Sequence, residues 1–310
     1  MGRRMRKGLP INGWLAIHKE VGMTSTRVVE AVRRITKAAK AGHGGTLDPF
    51  SEGLLPIALG EATKALAMVL EGDKAYCCWV RFGWETDSGD PTGTVTQEGG
   101  TPPGRYALLE ALKAFLGEQD QVPPAHSAIH INGERAYERA RRGEVVDMPT
   151  RRVVFNELTL EDYTDGLAKI SVKCGKGTYM RSLARDLGRY LHCPAHLEQL
   201  LRTRTLGFEL NDGITLDSLA DAVRDNRLDN FLYPVDRVLD DIPALRLRDE
   251  VWHKIVNGQS VWVDAIGCEG TDMVRLLTPE GIFGAVGTLS AASAKDSRRL
   301  CKPKRLFHLS

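Results

Sequence analysis

Between Gly42 and Leu55 the chain reads Gly-His-Gly-Gly-Thr-Leu-Asp-Pro-Phe-Ser-Glu-Gly-Leu-Leu, and no other stretch restricts the fold so tightly. Gly44 and Gly45 admit positive φ and let another group approach the main chain closely. Pro49 fixes its own φ and biases Asp48 towards an extended conformation, so the acid is aimed by its backbone. The following run, Gly53 to Gly60, is apolar and anchors the loop to a core. Taken alone, a Gly-Asp-Pro stretch is ordinarily an Asx-turn, in which the aspartate caps its own turn.

Around this loop the periodicities change between strand and helix. Gly13 to Ile17 reads as a short strand, and Thr24-Ser25-Thr26 offers caps for a helix with Val28, Val29, Val32 and Ile35 on one face. The other face carries Arg33, Arg34, Lys37 and Lys40, which is either a solvated surface or an RNA-backbone contact. Lys74 to Phe82 is rich in strand formers, and Thr86 to Thr94 is a turn region. Tyr106 to Leu116 has helical spacing with Gly117 as its stop, and is assigned to core packing. Arg135 to Arg142 reads as a short helix with Arg139, Arg141 and Arg142 exposed; with Arg151 and Arg152 they form the densest basic patch before residue 245. Val153 to Leu160 and Leu167 to Cys174 read as paired strands, the second alternating apolar and polar residues. After Gly175-Lys176-Gly177 comes an amphipathic helix with Met180, Leu183, Ala184 and Leu187, so Tyr179 and Arg181 stand where a strand turns into a helix. Asp212 to Val223 holds one more helical pattern.

After Pro243 short apolar segments recur (Ser260 to Val263, Met273 to Leu277, Ile282 to Val286), separated by glycines, as in a small β-barrel. The expected fold is therefore α+β, a mixed and mainly antiparallel sheet flanked by helices, followed by a small barrel. The expected domains are residues 1–244 and 245–310. The second holds 10 Lys+Arg against 7 Asp+Glu, a net of +3, while the first holds 32 against 33, a net of −1. Any RNA site in the large part must rest on local patches. None of the six cysteines makes a Cys-x-x-Cys pair, so no metal site is expected and buried free thiols are. No apolar run approaches the ~20 residues of a membrane span. Arg3, Arg4, Arg6 and Lys7 have no apolar signal core after them and read as a solvated tail, which places the expected protein in the cytoplasm.

The Asp48 stretch resembles the acid-bearing motif of the TruB family, the bacterial tRNA pseudouridine-55 synthases. The likeness continues through Gly22-Met23-Thr24-Ser25, Lys74-Ala75-Tyr76, and Phe82-Gly83 with Thr86 to Asp90. It extends over Pro123-Pro124 with Ser127-Ala128, Gly133 to Glu138, Cys174 to Leu183, and Ala195 to Phe208. The chain departs from the family in having Lys19-Glu20 where Lys-Pro is usual, and His130 where lysine is frequent. The resemblance implies the pseudouridine synthase fold with a PUA-like RNA-binding domain. It implies a substrate, the T stem-loop of tRNA, and catalysis by a cytoplasmic monomer that needs no cofactor and no protein partner.

The chemistry explains why such a chain centres on one acid. Replacing the N1–C1′ bond of uridine by a C5–C1′ bond adds and removes no atoms. A carboxylate can stabilise charge at the sugar or bond to carbon, and it must be ionised. Three routes are open to it: attack at C1′, attack at C6 of the base, or proton abstraction that drives elimination. The resemblance makes Asp48 the catalytic nucleophile and Arg181 its partner, a guanidinium able to grip a carboxylate bidentately. It makes Tyr76 the stacking surface for the flipped uracil, with a hydroxyl able to take the C5 proton, Tyr179 a pocket support, Leu200 an apolar wall and His43 a stacking group. Lys19 and Lys64 are expected to be phosphate contacts or supporting cations. Two alternatives have a different character: a guide-dependent pseudouridine synthase, and a non-catalytic RNA-binding or RNA-folding protein.

Overall fold

The structure, a computed structural model, describes residues 8–69, 72–127, 129–131, 133–268, 270–291 and 298–309. The tail residues Arg3, Arg4, Arg6 and Lys7, the motif residue Ala128 and the Arg141 side chain fall outside the described residues. The architecture is α+β with mainly antiparallel sheets, as expected.

The large sheet runs in the order Gly13–Lys19, Glu52–Leu59, Ala195–Thr205, Lys74–Phe82, Leu167–Cys174, Arg151–Thr164, Gly117–Gln121. Its one parallel pairing on this path joins Leu201 to Glu52 and Arg202 to Gly53. The helices Ser25–Thr36, Arg105–Ala114, Met180–Tyr190 and Leu216–Arg224 contribute apolar faces to the main core, with Leu15, Ile57, Val80, Val172 and Leu197 from the sheet. Thr24 caps the first helix by accepting from Arg27 N, as its sequence position requires. The two strands at one end of the sheet are buried on both faces, since Leu15 and Leu55 belong to the main core while Trp14 and Leu54 belong to a second cluster. Burial on both faces explains the unbroken apolar run after Gly53.

The second cluster joins the two parts of the chain. Trp14, Leu54, Ala58 and Phe208 pack with Phe283 and Val286 of a five-stranded sheet and with Phe307, which follows its Arg298–Leu306 strand. That sheet runs Ala244–Arg246, Met273–Leu277, Phe283–Leu289, Arg298–Leu306, Val261–Asp264. A third cluster, including Ile255, Val263, Leu276 and Cys301, fills the sheet's other face. The strand Arg298–Leu306 carries five cations, and Arg299 and Cys301 are turned inward. All six cysteines are buried free thiols. Among the described residues no helix is long and apolar enough to cross a membrane.

Candidate active site

Four groups from distant parts of the chain hold the loop that carries Asp48. Ser25, in the first turn of its helix, donates from Oγ to Leu47 O (3.0 Å) and accepts from Leu47 N (2.9 Å). Gly22 N donates to Pro49 O at 2.7 Å. The buried Lys19 ammonium donates to Ser51 O (2.5 Å), Glu20 O (2.9 Å) and Pro49 O (3.4 Å). Arg202, only 1% exposed, donates to Leu54 O (2.8 Å), Gly45 O (3.0 Å) and Thr46 O (3.3 Å). Gly53 is obligatory here: it has φ of +105°, and a Cβ on it would lie 2.4 Å from Arg202 O. Glu20 contributes only its main-chain carbonyl to this set, so the missing proline leaves the Lys19 contacts intact.

The turn after Asp48 is closed by backbone, Ser51 N to Asp48 O at 3.1 Å. The carboxylate itself reaches Arg181, whose Nε lies 3.0 Å from Asp48 Oδ2. This is an ion pair and not an Asx-turn. About a third of the Asp48 side chain (32%) faces solvent, against 5% for Arg181. The guanidinium is shared and does not grip Asp48 bidentately, a departure from expectation. Nη1 donates to Ser88 O (2.9 Å) and approaches Asp90 Oδ2 (3.4 Å), and Nη2 donates to His126 O (2.9 Å). Asp90 is itself buried and accepts from Ser88 Oγ (2.8 Å), Thr92 N (3.0 Å) and Thr92 Oγ1 (2.5 Å). Burial pushes the Asp48 carboxyl above its ordinary pKa; Arg181 pulls it down and Asp90 pushes it further up.

Tyr179 precedes the helix Met180–Tyr190 in extended backbone, and Gln121 fixes it from both sides, accepting from Tyr179 N (2.8 Å) and donating to Tyr179 O (3.1 Å). Its phenol is raised by burial and feels Asp48 and Arg181. Tyr76 and Leu200 lie in the same apolar cluster as Leu47. Burial pushes the Tyr76 phenol up to about 12, so at neutral pH it keeps its proton. Arg202 pairs with Tyr76 across the sheet and lowers the pKa of His43, for which burial is the larger cause. Among the described residues, the buried Nδ1 of His43 has no hydrogen-bond partner.

The chain matches the model of the TruB family pseudouridylate synthase N-terminal domain over residues 33–180, and that of the tRNA pseudouridylate synthase B C-terminal domain over 181–240. The chain belongs to the TruB family. It is 42% identical to the tRNA pseudouridine synthase B of Bradyrhizobium diazoefficiens, covering 97% of this chain and 87% of that one. Identity to the tRNA pseudouridine synthase B of Caulobacter vibrioides is also 42%, covering 83% and 84% respectively. Among solved structures, a Cbf5-Nop10-Gar1 complex matches with a TM-score of 0.76 at 24% identity over 96% of this chain and 85% of that one, a likeness of fold. The protein is an isomerase of the TruB type, a tRNA pseudouridine synthase.

Other expected site residues of this TruB protein lie elsewhere. Lys64 pairs with Glu61 and donates to Leu306 O (2.9 Å), so it ties the two sheets together. His130 is exposed in the short hairpin with Glu134–Arg135. The basic patch is largely neutralised by its own acids: Glu144 pairs with Arg139 and Arg142, Glu134 with Arg142, and Glu118 and Asp120 with Arg152. By contrast, Arg33, Arg34, Lys37 and Lys40 are exposed and have no ion pair among the described residues.

Arg202, Ser25, Gln121 and Asp90 were missing from the expected site. Each acts through the chain fold; Ser25, Asp90 and Arg202 fall inside the family blocks, whereas Gln121 lies outside them and had no signal in the sequence. Arg202→Met should lower stability by about 3 kcal/mol, because three buried carbonyls lose a charged donor at about 1–3 kcal/mol each with partial relaxation. Urea denaturation checks this; a loss below about 1 kcal/mol would show that the clamp is dispensable.

Proposed function

We propose that this chain isomerises uridine 55 in the T-loop of tRNA to pseudouridine, with Asp48 as the catalytic nucleophile. The observation that carries the reading is a single partly open carboxylate, immobilised by four clamps and paired with a buried arginine. The target uridine is flipped from its stack, at a cost of a few kcal/mol offset by the apolar surface around Tyr76 and Leu200. Asp48 acts on the nucleoside as the N1–C1′ bond breaks. Arg181 keeps the carboxylate ionised against the burial that raises its pKa. The freed uracil turns and bonds C1′ through C5; C5 loses its proton and N1 gains one, so atoms balance without a redox step. His43 and Tyr179 line this site, and Lys19 holds the loop from behind.

In this reading residues 1–244 carry the chemistry and residues 245–310 extend the RNA contact. The exposed Arg33, Arg34, Lys37 and Lys40 supply phosphate contacts, and the protein works as a cytoplasmic monomer without a guide RNA. An assay on a T stem-loop transcript, without added metal, cofactor or protein, tests it. The expected result is stoichiometric pseudouridine at the position equivalent to 55. Activity appearing only when a guide RNA is supplied would favour the guide-dependent alternative, which the fold likeness to the Cbf5 complex brings forward.

A further inference from the structure

Among the described residues three arginines are buried, Arg181, Arg202 and Arg299, and Arg202 alone has no acid partner. Arg181 has Asp48 at 3.0 Å and Asp90 at 3.4 Å, and Arg299 has Asp272 at 3.3 Å. A guanidinium keeps its charge throughout the accessible pH range. The N–H groups of Arg202 serve Leu54 O, Thr46 O and Gly45 O, which hold the loop but neutralise nothing. Burial lowers the Arg202 pKa, and the opposing influence comes from Tyr76, not from an acid. A buried charge without a countercharge is costly, and carbonyl oxygens require a donor, not a charge.

Strand register sets where that charge stands. Arg202 is opposite Tyr76 on the neighbouring strand, and Leu200 is opposite Cys78. No irregularity falls between Leu200 and Arg202, so both side chains leave the strand on the face that carries Tyr76. Arg202 therefore adjoins both apolar surfaces assigned to the uracil, and it bears on the Tyr76 hydroxyl as a charge and as a hydrogen-bond donor. It is not among the groups that move the Asp48 pKa, where Arg181, Asp90 and Lys19 act.

The isomerisation moves a negative charge between these two places. It begins on Asp48, beside Arg181. When N1–C1′ breaks, the electron pair stays on N1, while Asp48 either bonds to C1′ or takes a proton. The detached uracil is then the anion. When C5 bonds to C1′, Asp48 leaves with its electron pair or returns its proton; C5 gives up a proton and N1 gains one. We propose that Arg202 is the countercharge of the detached uracil, acting across Tyr76 without touching the base, and is thus a positioning residue for bond breaking as well as a clamp on the Asp48 loop. The proposal rests on the reading of Asp48 and Tyr76 given above.

Arg202→Gln, Arg202→Met and Arg202→Lys, each in the full chain, should be compared with the unaltered protein in single-turnover assays. The substrate is a T stem-loop carrying uridine or 5-fluorouridine at the target position, and the readout is consumption of that nucleoside. Fluorine makes the base a stronger acid, so its anion needs less help. The two neutral variants are expected to slow uridine by about 10²- to 10³-fold, and 5-fluorouridine at least about 10-fold less than that. Arg202→Lys keeps a charge but loses the fork of donors, and should slow both nucleosides to the same extent. Equal slowing of the two by the neutral variants would reduce Arg202 to a structural clamp and overturn the proposal. In the unaltered protein, where the countercharge is present, 5-fluorouridine should be favoured by less than about 10-fold. A larger advantage there would overturn the proposal even if neither neutral variant folded. An unaltered protein that consumes neither nucleoside would refute the Asp48 reading itself, an outcome distinct from equal slowing.

Discussion

Asp48→Asn is expected to bind tRNA like the unaltered enzyme and to form pseudouridine at least about 10⁴-fold more slowly. Asparagine has the same shape, and the loop is held by main-chain contacts from Ser25, Gly22, Lys19 and Arg202 that do not involve the Asp48 side chain. What is lost is the charge and its nucleophilic oxygen. Stability should move the other way. Because burial raises the Asp48 pKa in the fold, the folded chain holds that proton more tightly than the unfolded chain. The resulting stabilisation is fully present below the unfolded value of about 3.9 and is lost as pH rises through the folded value. At pH 7 the ionised acid therefore costs stability, and Asp48→Asn should melt no lower than the unaltered protein. The activity, which needs the carboxylate, should fall on acidification at a higher pH than an ordinary aspartate would impose. A thermal melt and a pH–rate profile check both signs.

Arg181→Lys is expected to reduce kcat by about 10²- to 10³-fold with KM changed far less. Lysine keeps one charge but cannot span Asp48, Ser88 O, Asp90 and His126 O together. Losing the Nε contact weakens the influence holding the Asp48 pKa down, so the acid limb of the pH–rate profile should move to higher pH. Arg181→Met goes further and leaves the buried Asp90 carboxylate uncompensated, which should cost about 3–5 kcal/mol of stability. A lysine variant within about 3-fold of full activity would show that Arg181 only supplies charge.

The legible parts of the fold are those set by local pattern. Thr24 caps its helix, and Leu167–Cys174 alternates as a half-buried strand paired with its predecessor. Tyr179 and Arg181 stand at the start of a helix, and Asp48 lies in a turn braced on both sides. The strand Ala195–Thr205, near the middle of the large sheet, was not legible. His196, Glu198, Gln199, Arg202 and Arg204 break its apolar pattern, and irregularities between Leu197/Gln199 and Arg202/Arg204 shift its alternation. A buried arginine serving three carbonyls of a distant loop leaves no local trace. The pairing of the basic patch was not legible for the converse reason: Glu134 and Glu144 are ordinary surface residues in sequence, and only the fold turns them onto Arg139 and Arg142. Nor does the pattern of the last strand show that Arg299, wired to Cys268 O and Thr271 O, is an inward-facing cation.

The measurement that bears most directly on the role of Asp48 is a single-turnover assay, with Asp48→Asn in excess over a tRNA transcript and pseudouridine mapped by position. The expected result is complete binding and no pseudouridine at position 55 on a timescale in which the unaltered protein converts every molecule. Conversion by the variant within about 10-fold of the unaltered rate would take the chemistry away from that carboxylate.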